Sequence, residues 1–393
     1  MSPQVLRRIY LDYAASAPIR QEALDAERAY ESSGYAGANP NSLHTAGREA
    51  ARALDGARRD LARLLGGRFR PSDVVFTSGG TENNNLALVG MAQGARAKDR
   101  RRVRVLVSAI EHDSVLDVVP HMRALGFEVG LLAPSREGVV EASTLGAALG
   151  DGGDVAVVSV MAANNETGAI QPLADLARLS HKAGAMFYTD AAQGFAKVPL
   201  DVSGCDAVGI VGHKIGAPVG TGALVVRGNV SLRPQTFGGG QERGIRPGTQ
   251  DVRGALALAA AARACSVGME REREEVRKRT DGLYDRICAP GTGIVPTMGN
   301  MAEADRLPGM VSVMVPGLDS ESLVLQMDNL GFEVSAASAC ASGSLDASHV
   351  LTAMGISRND ALGSLRISFD ERVGQEELDA FADALMGVVT SLR

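Results

Sequence analysis

From about residue 72 to 227, short apolar runs alternate with amphipathic stretches. Asp73–Thr77, Val103–Ser108, Asp154–Val160, Met186–Thr189, Ala207–Val211 and Ala223–Arg227 are almost continuously apolar, the pattern of strands covered on both faces. Between the early ones, Asn85–Ala95, Val115–Leu125 and Leu173–Ala183 repeat their apolar positions at helical spacing. The alternation predicts an α/β architecture, a mostly parallel sheet with helices on both faces. After Gly248 the texture changes. Val252–Cys288 reads as one long helix, Ala-rich first and then charged, with no proline inside. Strand-like Met310–Val315, Phe332–Ser335 and Ser364–Phe369 then alternate with helical Ser320–Leu330, Ala347–Met354 and a closing helix from about Gln375. That is a smaller α+β module. The Gly-rich segment Gly238–Gly248 reads as a loop.

Composition narrows the partners. With 45% hydrophobic and 22% charged residues the 393-residue chain is of ordinary globular type. Its net charge of −6 disfavours nucleic acid, which needs a basic surface. No apolar run approaches the roughly 18 residues of a membrane span, and residues 1–20 lack a secretory-signal core. A cytoplasmic address is expected. Cys205, Cys265, Cys288 and Cys340 form no CxxC pair, and the six histidines no cluster, so no metal site is expected.

In parallel α/β sheets, ligands bind beyond the carboxyl ends of strands, and five such places carry chemistry. Thr77-Ser78-Gly79-Gly80-Thr81-Glu82 follows a strand and opens a helix: a phosphate cup, or a tight turn with Thr81 as cap. Asp190 ends a strand amid small residues, facing a ligand or capping a helix. Lys214 follows an apolar strand among glycines, whereas Lys98, Lys182, Lys197 and Lys278 sit in helical or polar, exposed-looking segments. A partly desolvated Lys214 amine can act as a Schiff-base nucleophile. An Asp and a Lys beside a phosphate cup are what pyridoxal phosphate requires. His112 could stack on a planar cofactor, or be a satisfied structural histidine. Cys340 lies in a Ser/Ala/Gly run, as a candidate nucleophile or an incidental thiol.

The residues then resemble a family nearly end to end. Tyr10-Leu11-Asp12-Tyr13, Gly37-Ala38-Asn39-Pro40, Phe76–Glu82, Glu111-His112, Asn164-Asn165-Glu166-Thr167-Gly168, Asp190–Gln193, Gly212-His213-Lys214, Gly238–Thr249, Ser338-Ala339-Cys340 and Ser364-Leu365-Arg366 occur in that order. The chain is similar to the cysteine desulfurases, in the class-V aminotransferase-like branch of fold-type I pyridoxal-phosphate enzymes. The resemblance implies a seven-stranded, mostly parallel sheet in a large cofactor-binding domain (residues 15–255). A small α+β domain (1–14 with 256–393) would carry the catalytic cysteine loop. It implies that Lys214 is the Schiff-base lysine, Asp190 pairs with the pyridine nitrogen, Gln193 bonds the ring oxygen and His112 stacks on the ring as a catalytic residue. Gly80, Thr81, Gly212 and His213 would hold the phosphate, with Thr249 reaching it from the second subunit of a homodimer. Asn165 would contact cofactor and substrate, Arg366 would take the carboxylate of L-cysteine, and Cys340 would accept the sulfur and pass it to an acceptor protein. The implied products are L-alanine and a persulfide; the alternative is a selenocysteine lyase or another C–S or C–Se lyase. One position departs from the family pattern: Val211 stands three residues before the lysine, where a Ser or Thr is usual.

Overall fold

The computed structural model describes residues 8–267, 269–301, 305–337 and 347–393. Seven strands form the main sheet: β1 (Val74–Thr77), β2 (Arg104–Ser108), β3 (Glu128–Leu132), β4 (Val155–Ser159), β5 (Met186–Asp190), β6 (Ala207–Val211) and β7 (Gly222–Val226). Their spatial order is β1-β7-β6-β5-β4-β2-β3. All neighbours are parallel except at β7, which runs against both β1 and β6. The seven-stranded, mostly parallel sheet is the one expected. Its edge strand β3 is missing from the apolar-run pattern because it is only partly covered, with Glu128 and Leu131 exposed.

The helices cover both faces. Those on the main sheet include α1 (Gln21–Glu31), α2 (Thr45–Leu65), α3 (Gly80–Lys98), α4 (Asp113–Leu116), α5 (Val118–Ala124), α6 (Leu173–Lys182) and α7 (Val252–Ser266), whereas α8 (Met269–Ile287), α9 (Ser320–Asn329) and α10 (Gln375–Leu392) pack in a second core. Alternate strand residues serve opposite cores, as the pleat dictates. Phe187 and Leu106 pack with α2, α6 and α7 through Leu54, Leu61, Leu176 and Leu258. Tyr188, Val105 and Val107 pack on the other side with α3 and α5 through Leu86, Met91 and Met122. A separate antiparallel sheet holds β8 (Met310–Met314), β9 (Ser335–Ala336) and β10 (Ser364–Ser368). Its core gathers Leu11, Tyr13, Leu283, Val313, Ile367, Phe381 and Leu385.

Two expected helices are each two. Val115–Leu125 breaks between α4 and α5, because Pro120 has no N–H to bond the carbonyl of Leu116. Val252–Cys288 breaks after Ser266, where Val267 turns extended (φ −77°, ψ 115°). A β-branched valine followed by a glycine propagates a helix poorly. The break has a packing consequence: buried side chains of α7 join the main-sheet core, and those of α8 join the small-sheet core.

Helix α3 is the element whose placement matters most for the site, since its first turn faces the cavity described below. It sits close to the segment around residues 231–233 because Gly90 and Gly94 share one face. Gly90 O accepts from Arg233 N–H at 3.0 Å, and a methyl at Gly94 would collide with the Ser231 carbonyl. G94A is expected to lower stability by about 2–3 kcal/mol, the usual range for overpacking against backbone; chemical denaturation measures it.

Candidate active site

The chemistry-bearing residues emerge where the strands of the main sheet end. β1 stops at Thr77, Gly79 takes a φ of 145° that side chains disfavour, and α3 starts at Gly80. The N-cap is therefore Gly79 and makes no side-chain cap, which removes the capping role considered for Thr81. The first N–H groups of α3 have no intrahelical acceptor and carry the positive end of the helix dipole. They are held from behind. Glu82 accepts from Ser78 N–H at 2.6 Å and pairs with Arg246 at 2.9 Å. Glu242, buried between Arg58 and the Phe76 N–H, anchors the segment leading to Arg246.

One cavity of about 290 Å³ is lined by Gly80, Thr81, His112, Asn165, Asp190, Gln193, His213, Lys214 and Arg366, nine of the expected site residues. Gly212 adjoins it without forming its wall; a side chain there would strike Thr221 Oγ1. Thr249 is exposed and lies outside the cavity of its own chain. Cys340 lies outside the described residues. Burial pushes the thiols of Cys265 and Cys288 up to about 11 and about 12, and that of Cys205 higher still. None of these three is poised as a thiolate.

Lys214 Nζ donates to the carbonyls of Ala14 and Ala15 at 2.8 and 2.7 Å. Asp190 closes β5 and is followed by a turn, not a helix, so it caps nothing. Its Oδ1 accepts from Ala192 N–H and its Oδ2 from Asn84 Nδ2, both at 2.8 Å. Asn84 is a residue the sequence reading missed. Its amide also reaches Ser114 Oγ (2.7 Å), and its Oδ1 accepts from Tyr188 OH (2.5 Å). The available signal was Asn83-Asn84-Asn85 at a helix start, residues that disfavour a helix unless their side chains have other partners.

His112 lines the cavity and also has the structural role weighed for it, as the cap of α4. Its Nδ1 accepts from Ser114 N–H at 3.0 Å, which puts the proton of the neutral ring on Nε2. Burial, and then the cations Lys214 and Lys197, pull His213 down to about 4, so it is neutral near pH 7. Asn164 builds the turn before Gly168: its Oδ1 accepts from the N–H groups of Glu166 and Thr167, both at 2.9 Å. Asn165 Oδ1 is buried with no partner among the described residues. The same holds for Arg366 Nε, while Arg366 binds Asp12 (2.7 Å) and the Asn165 carbonyl (3.0 Å).

Lys197 corrects an expectation. It is not in an exposed polar segment; its Nζ donates to Gln193 Oε1 at 2.8 Å, beside the cavity. Burial, and then Lys214, pull its amine down to about 7. The arrangement offers an amine, an aimed carboxylate, a helix N-terminus and a buried guanidinium in one enclosure. That set suits covalent capture of an anionic carbonyl compound and recognition of a second anion.

The family model described as aminotransferase class-V matches residues 9–381. An IscS-like cysteine desulfurase of Mycobacterium tuberculosis is 38% identical over 387 residues, spanning 98% of this chain and 97% of that protein. Cysteine desulfurase NifS of Azotobacter vinelandii is 35% identical over 388 residues, spanning 98% and 93%. Among solved structures, a NifS-like protein superposes with a TM-score of 0.88 at 30% identity, over 98% of this chain and 100% of that one.

Glu111, next to His112, generates a pH prediction. Burial, and after it the charge of Asp190, raises its carboxyl from the ordinary 4.5 to about 8. The folded chain then holds a proton that the unfolded chain releases, so stability falls as pH rises from 4.5 to about 8. Glu166, raised to about 7 by burial, adds the same sign. Glu111 Oε2 has no partner among the described residues, so an amide there loses no hydrogen bond. E111Q is expected to flatten the pH dependence and to be about 2–4 kcal/mol more stable than the parent at pH 8, read by urea unfolding at pH 5 to 8.

Proposed function

The chain belongs to the class-V aminotransferase family and is a cysteine desulfurase; from that premise we propose that the 290 Å³ cavity holds pyridoxal 5′-phosphate and L-cysteine. One observation carries the reading: Lys214 and Asp190 face a single enclosure that also opens on the α3 N-terminus. The donor set fits the cofactor. The α3 terminus with Gly80, Thr81 and neutral His213 suits a phosphate, and Gly212 lets the chain before His213 pack closely on Thr221. The unpartnered Asn165 Oδ1 and Arg366 Nε are orphaned groups of the kind a ligand completes. When bound, the cofactor supplies an electron sink that acidifies the α-carbon of an amino acid.

The residues then take these roles. Lys214 would hold the cofactor through its amine and would take and return the substrate's α proton. Asp190 would hold the pyridine nitrogen, His112 would cover the ring face, and Gln193 would bond the ring oxygen. Arg366, pre-aligned by Asp12, takes the substrate carboxylate, with Asn165 beside it. The Cys340 thiolate attacks the substrate sulfur. The C–S bond breaks with its electron pair going to carbon, which takes a proton and leaves as L-alanine, and the sulfur stays on Cys340 as a persulfide. An acceptor protein then collects it, for iron–sulfur assembly or thiolation, in the cytoplasm. The cofactor-holding unit of residues 15–255 extends to Ser266 through the rest of α7, whose buried side chains join the main-sheet core, and the described residues outside it form the smaller unit. We place Thr249 in the partner's cavity within a homodimer. The 88%, 80% and 87% exposure of Leu43, Val219 and Phe237 supports that association, since large apolar side chains this bare favour burial.

Pure protein given L-cysteine and dithiothreitol should release sulfide and alanine in equal amounts. K214A should lose both, along with the visible absorbance of the cofactor. C340S should keep that absorbance and lose the persulfide that alkylation maps to Cys340. Sulfide release by C340S at the parent's rate would instead remove Cys340 from the reaction. Faster turnover of selenocysteine with no persulfide would assign the lyase alternative. Val211 yields a second expectation. Its side chain lines the cavity against Gly80, with its Cγ2 only 3.1 Å from the space a Gly80 Cβ would take. V211T keeps the volume and adds a hydroxyl beside the phosphate. It should tighten pyridoxal-phosphate binding to the apo chain about three- to tenfold, the worth of one hydrogen bond. Equilibrium titration measures it.

A further inference from the structure

Lys197 is an anomaly. It lines a second, smaller cavity of about 80 Å³ behind Lys214, walled by Cys265, Leu307 and Met310. Among the described residues no carboxylate lies within ion-pair distance of it, and its one hydrogen bond is to Gln193 Oε1 at 2.8 Å. A lysine is ordinarily free to extend its amine to water. Here the amine turns inward to Gln193, and Ala196, the residue before it, has a φ of 57°, in the left-handed region that a Cβ disfavours. Strain at an observed outlier beside a site, together with a part-buried amine that makes no ion pair among the described residues, points to a functional arrangement.

The neighbours say what it does. A glutamine side chain is nearly symmetric in shape, and its partners decide which end is oxygen. The Ala14 carbonyl can only accept, and Lys197 Nζ, whenever it carries its proton, can only donate. Gln193 Oε1 therefore faces Lys197, and Nε2 donates to Ala14 O at 2.8 Å. The second Nε2 hydrogen is what Gln193 has left to present to the cavity it lines. The Ala14 carbonyl also accepts from Lys214 Nζ at 2.8 Å, so one short network joins the two lysines through Gln193.

We infer that Lys197 is a positioning residue of the cofactor site: by donating to Gln193 Oε1 it fixes the carboxamide with its N–H edge toward the cavity, making Gln193 a donor to the ring oxygen of pyridoxal phosphate. The inference rests on the reading of the cavity as a pyridoxal-phosphate site. It acts through Gln193, and that makes it separable from a merely structural role.

The test titrates pyridoxal phosphate into apo protein, reading the dissociation constant and the visible absorbance maximum. K197M, which removes the donor at similar volume, should weaken binding about tenfold, the worth of one hydrogen bond to a well-placed group, and shift the absorbance. K197R, again donor-only, should stay within about twofold of the parent on the same scale. Q193A should match K197M, and in the Q193A background K197M should cost nothing further, since the two act as one unit. K197A carries the same expectation if K197M does not fold. A K197M or K197A protein that binds and absorbs like the parent, or costs that simply add in the double variant, would overturn the role of Lys197. Failure of the underlying reading looks different: borohydride trapping of the parent would then leave no label on Lys214, whatever residue 197 is.

Discussion

Residues 11–17 form a strap on which the site depends. Leu11 and Tyr13 are rooted in the small-sheet core. Leu11 O accepts from Ser368 N–H and Tyr13 N–H donates to Ser368 O at the end of β10, and Ala17 N–H bonds to His213 O at 2.8 Å, just past β6. The strap thus stitches the small sheet to the main one directly beside the cavity. Its polar groups face both ways: the Asp12 carboxylate grips Arg366, and the carbonyls of Ala14 and Ala15 grip Lys214. Buried carbonyls and carboxylates must find donors, and a guanidinium or ammonium is the strongest donor available. The two cations that would handle substrate and cofactor are therefore located by the same seven residues that hold the sheets together.

Burial then sorts the charges. Glu111 is held protonated near neutral pH, Glu166 is held partly so, and His213 is held neutral, each chiefly by desolvation. Glu166 in turn accepts from Ser348 Oγ, so neutralising it keeps a hydrogen bond without adding a second negative charge near Arg366. What faces the cavity is then dominated by Lys214, Arg366 and the α3 terminus, opposed chiefly by Asp190. Such a field favours ligands that bring a phosphate or a carboxylate. The carboxyls nearby do not cancel it, because the protein interior has discharged them.

Much of this was legible from the chain. The continuous apolar runs marked six of seven main-sheet strands because those strands are covered on both faces, and residues just past them proved to line the cavity. β3 escaped because an edge strand half in water has no continuous run. The helix break at Val267 escaped because composition on either side favours helix, and the change of core at that point is a tertiary fact. Lys197 escaped for a related reason. Gly194, Phe195 and Ala196 surround it with a turn, and only the fold shows that the turn directs the amine inward to Gln193. Asn84 was hidden in plain view, since its partners Asp190, Ser114 and Tyr188 lie 106, 30 and 104 residues away.

Three side chains around the site share a chemical character. Asn84, Asn164 and Gln193 are carboxamides, able to present either a donor or an acceptor, and each is resolved by neighbours that have no such choice. Asn84 faces the Asp190 carboxylate, an acceptor only, with its nitrogen. Asn164 faces the Ile110 carbonyl with its nitrogen and two backbone N–H groups with its oxygen. Gln193 stands between a lysine and a carbonyl. An ambiguous side chain placed between unambiguous ones acquires a fixed polarity without a charge of its own, and so can sit beside a charged ring without adding to the field. Substituting the amide removes all of its hydrogen bonds at once; substituting one neighbour that polarises it leaves the amide in place with one partner fewer to direct it. The second kind of loss has no signature in the sequence of the amide itself.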